Sequence, residues 1–164
     1  MKPNRAIFCA AVFFPCTVWA VTSNCTSEEA IIFSCNTGKN VVSVCASQNL
    51  SAQIGYLQYR FGPINKPNLA IPEKKVHPGS EIQAKTLTFA GGGGAYVRFQ
   101  RGSYGYVVYN SIIKGEGEKA GVAVVKDGKT TTNLRCKGAA SSELGPDFFA
   151  KAGLMTDAND FDIP

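Results

Sequence analysis

The stretch Gly91-Gly92-Gly93-Gly94-Ala95-Tyr96-Val97-Arg98-Phe99-Gln100-Arg101-Gly102-Ser103-Tyr104-Gly105-Tyr106-Val107-Val108-Tyr109 decides the fold. A four-glycine loop feeds a strand, Gly102-Ser103 reverses it, and a tyrosine-rich strand returns. A glycine at the first position of a two-residue reversal suits a tight hairpin whose twist matches its flanking strands. That register sets Phe99 beside Tyr106 and Arg101 beside Tyr104. Tyr96, Arg98 and Gln100 share the opposite face with Tyr109, because side chains alternate along a strand. Ser103, Tyr104, Tyr106 and Arg101 then gather at the tip. Tyrosine and arginine dominate interface energetics, so the tip is a candidate contact surface.

The glycine run is not a phosphate cradle. Such a cradle needs a following helix whose N-terminus faces the anion, and Ala95 to Phe99 reads as a strand. The run instead meets a need for positive φ or for close backbone approach.

Outward from the hairpin, the rest of the body also reads as antiparallel β. Ala30–Cys35 and Val41–Cys45 flank the turn-rich spacer Asn36-Thr37-Gly38-Lys39-Asn40. Reversal at Gly38-Lys39 sets Cys35 opposite Val42 and Phe33 opposite Val44, with Ser34 and Ser43 on the other face. Gln53–Phe61 is a third strand, with Leu57, Tyr59 and Phe61 on one face. The span 62–80 holds Pro63, Pro67, Pro72 and Pro78, which predicts a surface excursion with at most a short edge strand. Ile82–Phe89 is a further strand, and Ala95–Arg101 pairs with Tyr104–Ile113. Ala120–Lys126 and Thr130–Cys136 flank Asp127-Gly128, a strong hairpin signal. About eight strands with almost no helical periodicity predict an all-β fold, a small antiparallel barrel or two-sheet sandwich. Beyond Gly138, Pro146–Ala152 reads as a helical turn closed by Gly153. Phe148, Phe149, Leu154 and Phe161 can dock this acidic tail on the body. The expected organisation is a signal peptide over 1–20, a β domain over 21–138 and a C-terminal extension over 139–164.

The first twenty residues read as an export signal. Lys2 and Arg5 precede an apolar run from Ala6 to Ala20, and Val18-Trp19-Ala20 suits cleavage after Ala20. The run falls short of the roughly twenty residues needed to span a bilayer, so no membrane anchor is expected. Cleavage leaves 144 of the 164 residues and four of the six cysteines: Cys25, Cys35, Cys45 and Cys136. An even number in an exported chain implies two disulfides and an oxidising compartment, most naturally the periplasm of a Gram-negative bacterium. Cys35 and Cys45 point to opposite faces of their hairpin and are poor partners for each other, so each reaches Cys25 or Cys136. No C-x-x-C pair occurs and His77 is the only histidine, which argues against zinc. No cofactor or metal is expected.

Charge is unevenly spread. Residues 21–138 carry 14 Lys and Arg against 7 Asp and Glu, whereas residues 139–164 carry Lys151 against five acids. A basic body favours capture of an acidic partner. No recognition motif for nucleic acid appears. Catalytic equipment is absent too. His77 lies in Lys74-Lys75-Val76-His77-Pro78, without an acidic neighbour in sequence to orient it. Glu116 and Glu118 lie in a charged glycine-bearing loop, where solvated carboxylates are expected. The chain is not expected to be an enzyme.

Several segments together resemble the bacterial periplasmic lysozyme inhibitors, most closely the inhibitors of invertebrate-type (I-type) lysozyme. They are the export signal, Phe33-Ser34-Cys35 with Val44-Cys45, Gly91 to Phe99, Tyr106-Val107-Val108-Tyr109, and Gly117-Glu118-Lys119-Ala120-Gly121-Val122-Ala123-Val124. The resemblance covers roughly residues 25–138. It implies an eight-stranded antiparallel fold, commonly a homodimer, that blocks a lysozyme with a loop bearing a Ser–Gly–x–Tyr-like signature. The matching spacing here is Ser103-Tyr104-Gly105-Tyr106, with Ser103 and Tyr106 as counterparts. The sequence departs from the signature by placing Tyr104 after the serine and the glycine one position later. Lys114 and Lys119 are implied as second contacts. The chemistry fits, because a retaining lysozyme presents two carboxyl groups, one of them ionised. The alternative is a non-catalytic envelope structural or glycan-binding protein using the same hairpin.

Overall fold

A computed structural model describes residues 21–79, 81–159 and 161–164. The export signal read from residues 1–20 lies outside the described residues. In chain order the elements are β1 (Glu29–Asn36), β2 (Val41–Ser47), β3 (Leu57–Gly62), β4 (Leu69–Ile71), β5 (Ile82–Phe89) and β6 (Gly92–Arg101). They are followed by β7 (Tyr104–Ile113), β8 (Gly117–Lys126), β9 (Lys129–Arg135), β10 (Ser141–Ser142), α1 (Pro146–Lys151) and β11 (Met155–Thr156). Two sheets result, ordered β10-β1-β2-β3-β4 and β11-β5-β6-β7-β8-β9. Every pairing is antiparallel except β11 with β5. The outcome is a sandwich rather than a closed barrel. The strands beyond the expected eight are short pieces: β4 on one edge, and β10 and β11 from the C-terminal segment.

The alternation in the sequence explains the core. Phe33, Val42, Val44, Leu57 and Tyr59 project from the first sheet and meet Ile82, Val97, Phe99, Val108 and Val122 from the second. Each of these is almost fully removed from water, at roughly 1.5–3 kcal/mol for a side chain of this size. The β1–β2 register is the expected one, with Phe33 opposite Val44 and Cys35 opposite Val42; a bulge then shifts the pairing between Ile31 and Phe33. Cys35 therefore faces the interior and bonds Cys136, just past β9 of the other sheet, while Cys45 faces outward and bonds Cys25. The two bridges fit an oxidising compartment.

Three local expectations need correction. The four glycines are not a loop: β6 begins at Gly92, and only Gly91 precedes it. A Cβ on Gly92 would stand 2.1 Å from the Ile112 carbonyl oxygen, so the close approach of β7 requires the missing side chain. The third strand starts at Leu57 rather than Gln53, because residues 51–56 turn through Ser51, whose N–H donates to the Ile54 carbonyl and whose hydroxyl accepts from the Gln53 and Ile54 N–H groups. Finally, β9 begins and ends one residue earlier than expected.

Both outer faces are covered by terminal segments. On the first sheet, Ser34 and Ser43 receive the chain near Asn24: the Asn24 N–H donates to Ser43 Oγ, and Ser34 Oγ donates to the Thr22 carbonyl. Buried beside them, Glu29 accepts two hydrogen bonds from Arg60 at 2.6 and 2.7 Å and one from the Tyr56 hydroxyl at 2.6 Å. On the second sheet, the C-terminal segment lies over the face bearing Tyr96 and Tyr109. Phe161 packs its ring 5.2 Å from that of Tyr96 and 6.1 Å from that of Tyr109. Asp157 accepts from Arg98 Nε at 2.5 Å, and the Tyr96 hydroxyl donates to the Asn159 carbonyl.

Candidate functional site

The β6–β7 hairpin ends in the predicted two-residue turn. Gly102 has φ 58°, a value that favours glycine at the first position of a primed turn. Phe99 pairs with Tyr106 and Arg101 with Tyr104, as the sequence register implies. The neighbouring β8–β9 turn at Asp127-Gly128 ends at the same level, since Tyr104 pairs with Lys126 and Lys126 with Lys129. Two turns therefore close one end of the second sheet side by side.

The expected contact residues do not all meet there. Ser103 is exposed in the turn and Tyr104 keeps 39% of its surface. Lys126 Nζ sits 5.2 Å from the centre of the Tyr104 ring, a cation–π contact of about 0.5–1 kcal/mol at an exposed site. Arg101 donates to Glu73 at 2.7 Å. Both partners are largely exposed, so the pair is weak and readily exchanged for another acidic partner.

Tyr106 takes a different position. It lies one step down the inward-facing side of β7, half-buried, with its ring 5.7 Å from that of Tyr59 in the opposite sheet. Burial, together with Tyr106, pushes the Tyr59 phenol well above its ordinary pKa, so Tyr59 stays neutral and the pair acts as packing. Tyr106 is thus the floor on which the tip stands, whereas Ser103 and Tyr104 are the groups displayed.

Lys114 and Lys119 stand at the other end. Lys114 follows β7, and Lys119 pairs with Ser111 while its ammonium meets Glu116 at 2.7 Å. The length of β7 puts roughly 30 Å between that loop and the tip, so these lysines do not share a contact patch with Ser103. The cations that do flank the tip are Lys126 and Lys129 from the adjacent turn, both exposed. Sequence reasoning overlooked them. The Asp127-Gly128 signal could have found both, since it places a second turn next to the hairpin.

The residues weighed for catalysis are scattered. The His77 ring nitrogens meet backbone groups, the Ser51 carbonyl and the Gly79 N–H. Glu116 lies at the far end, where the neighbouring Lys119 lowers its pKa. Among the described residues, Cys25, Glu29 and Cys45 are the grouping with metal-ligand types. Their sulfurs are joined in a disulfide and the carboxylate is held by Arg60, so no ligand set is offered. No helix of the described residues is long and apolar enough to cross a membrane. Comparisons with protein-family models, with characterised proteins and with solved structures find no match.

Proposed function

We propose that this protein is a non-catalytic periplasmic inhibitor that occludes the acidic cleft of a lysozyme, an I-type enzyme by resemblance, with the β6–β7 tip. The observation that carries the reading is the character of the sandwich end. An exposed hydroxyl, an exposed phenol and an exposed guanidinium project from Ser103, Tyr104 and Arg101, and Lys126 and Lys129 flank them. Those groups complement a groove holding an ionised carboxylate, the feature common to retaining lysozymes. The rigid β support lowers the ordering cost of binding. Ser103 and Tyr104 donate hydrogen bonds, Arg101 exchanges Glu73 for the enzyme's carboxylate, and Tyr106 fixes the height of the tip from below.

A hydrogen bond to a charged group contributes roughly 1.5–3 kcal/mol, so each lost donor weakens inhibition by about one to two orders of magnitude. The test compares Ser103→Ala/Tyr104→Ala with Lys114→Ala/Lys119→Ala in a cell-wall lysis assay against I-type, chicken-type and goose-type lysozymes. The tip variant loses inhibition and the distant variant retains it. Retained inhibition by the tip variant rejects the site. Failure of the unaltered protein to inhibit any of the three enzymes rejects the inhibitor reading.

A further inference from the structure

Beneath the hairpin, on the outer face of the second sheet, two cavities of about 240 and 530 Å³ share Arg98, Gln100 and Asn159 as walls and so form one groove. Ser103, Gly105 and Asp127 complete one end, and Glu81 and Gln83 the other. We infer that this groove is a second binding site, on the opposite side of the hairpin from Tyr104 and sharing only Ser103 with the contact groups of the tip, and that it takes a neutral saccharide.

Two features indicate a built site. Arg98 is 94% buried, with 6% of its surface left, yet it lines both cavities. Its Nε is committed to Asp157, which also accepts from the Asn159 backbone N–H and side-chain amide, so the guanidinium and the Asn159 amide are held in place from behind. Gly105 then keeps the groove open. It stands in mid-strand opposite Gln100, where a side chain would normally project. A Cβ there would lie 3.0 Å from Arg98 Nη1 and 3.4 Å from Gln100 Oε1, so any larger residue would grow into the space these groups face. Glycine inside a strand weakens it, and close approach of a ligand is one of the reasons such a residue is placed there.

The donor and acceptor set selects the ligand class. Asp157 already offsets the charge of Arg98, and Glu81 and Asp127 make the groove net negative, which disfavours carboxylates and phosphates. The remaining polar groups, from Gln83, Gln100, Ser103 and Asn159, are neutral. Each amide offers a carbonyl acceptor and two N–H donors, and hydroxyls offer both roles. Vicinal sugar hydroxyls, which donate and accept at short spacing, satisfy such a set. Among the described residues no aromatic ring lines the groove, so recognition rests on hydrogen bonds and the expected dissociation constant is weak, on the order of 1 mM.

The inference does not depend on the inhibitor reading, because Gln100 and Gly105 face away from the side carrying Arg101 and Tyr104. The experiment is a backbone-amide NMR titration of the full exported chain with chitotriose, maltotriose and cellotriose, with acetate and methylammonium as charged controls. Saturable shifts at Gln83, Gln100, Gly105 and Asn159 with at least one trisaccharide are expected. Gln100→Ala, an exposed position that leaves folding intact, weakens binding about two- to tenfold, and Gly105→Val abolishes it. Absence of saturable shifts with all three sugars overturns the inference. So does binding of acetate or methylammonium in their place, or an unchanged affinity in Gln100→Ala.

Discussion

Cutting the bridge between the two sheets should cost more stability than cutting the one within a sheet. Cys35–Cys136 closes a sequence separation of 101 residues and joins β1 of the first sheet to the end of β9 in the second. Cys25–Cys45 closes a separation of 20 and ties the N-terminal segment to β2. The chain-entropy relation assigns about 4.7 kcal/mol to the longer loop and about 3.3 kcal/mol to the shorter. The first figure is between a third and nearly all of the 5–15 kcal/mol that stabilises an ordinary domain. Alanine is the suitable replacement, because Cys35 and Cys45 are buried and a serine hydroxyl there would lack a partner. Urea unfolding of Cys35→Ala/Cys136→Ala and Cys25→Ala/Cys45→Ala should separate the two by about 1.4 kcal/mol, the inter-sheet variant being the weaker. Equal losses, or a greater loss in the Cys25→Ala/Cys45→Ala variant, would refute the loop-entropy reasoning.

Other outcomes follow from the buried pairs and the tip. Glu29→Gln removes the anion that two guanidinium nitrogens of Arg60 approach, at a cost of about 3–5 kcal/mol in thermal or urea unfolding. Burial raises the Glu29 pKa, but the hydrogen bonds from Arg60, Tyr56, Thr26 and Lys75 outweigh it and hold the group below its ordinary value. Its stabilising contribution is therefore complete above the unfolded value of about 4.3 and is lost as pH falls toward the folded one. Melting temperature should thus drop more steeply in the unaltered protein than in Glu29→Gln as pH is lowered below about 4. Asp157→Asn weakens the hold of the C-terminal segment on Arg98, and hydrogen exchange should quicken at the Asp157 amide, which donates to the Ala84 carbonyl. Tyr104→Ala should change unfolding free energy by no more than about 0.5 kcal/mol while impairing inhibition. Tyr106→Ala should cost about 2–3 kcal/mol, because it empties the space against Tyr59.

Much of the fold was legible because alternation and turn chemistry are local. The Gly102-Ser103 and Asp127-Gly128 signals set the strand pairs on either side, and the Cys35 and Cys45 faces correctly excluded a bond between those two cysteines. Choosing the actual pairing needed the stacking of one sheet on the other, which no local pattern encodes. The short strands β10 and β11 escaped because two-residue pairings are made by tertiary docking, not by their own propensity. The glycine run was misplaced for a related reason: it resembles a loop until the close approach of Ile112 is known.

The candidate site was legible in part. Ser103, Tyr104 and Arg101 emerged where register places them, whereas the distance of Lys114 and Lys119 from the tip depends on which end each loop closes. Arg98 and Gly105 were readable only as a strand residue and a turn neighbour. Their shared groove exists because the C-terminal segment brings Asp157 and Asn159 across the sheet, some sixty residues further along the chain.

The most direct measurement is a titration of purified I-type lysozyme with the exported chain, following residual lytic activity at low and at raised ionic strength. Activity should fall to zero at one inhibitor chain per enzyme molecule, with the apparent affinity weakening as salt screens the Arg101, Lys126 and Lys129 cations from the acidic cleft. Full lytic activity at a large molar excess of the protein, at low salt, would contradict the account.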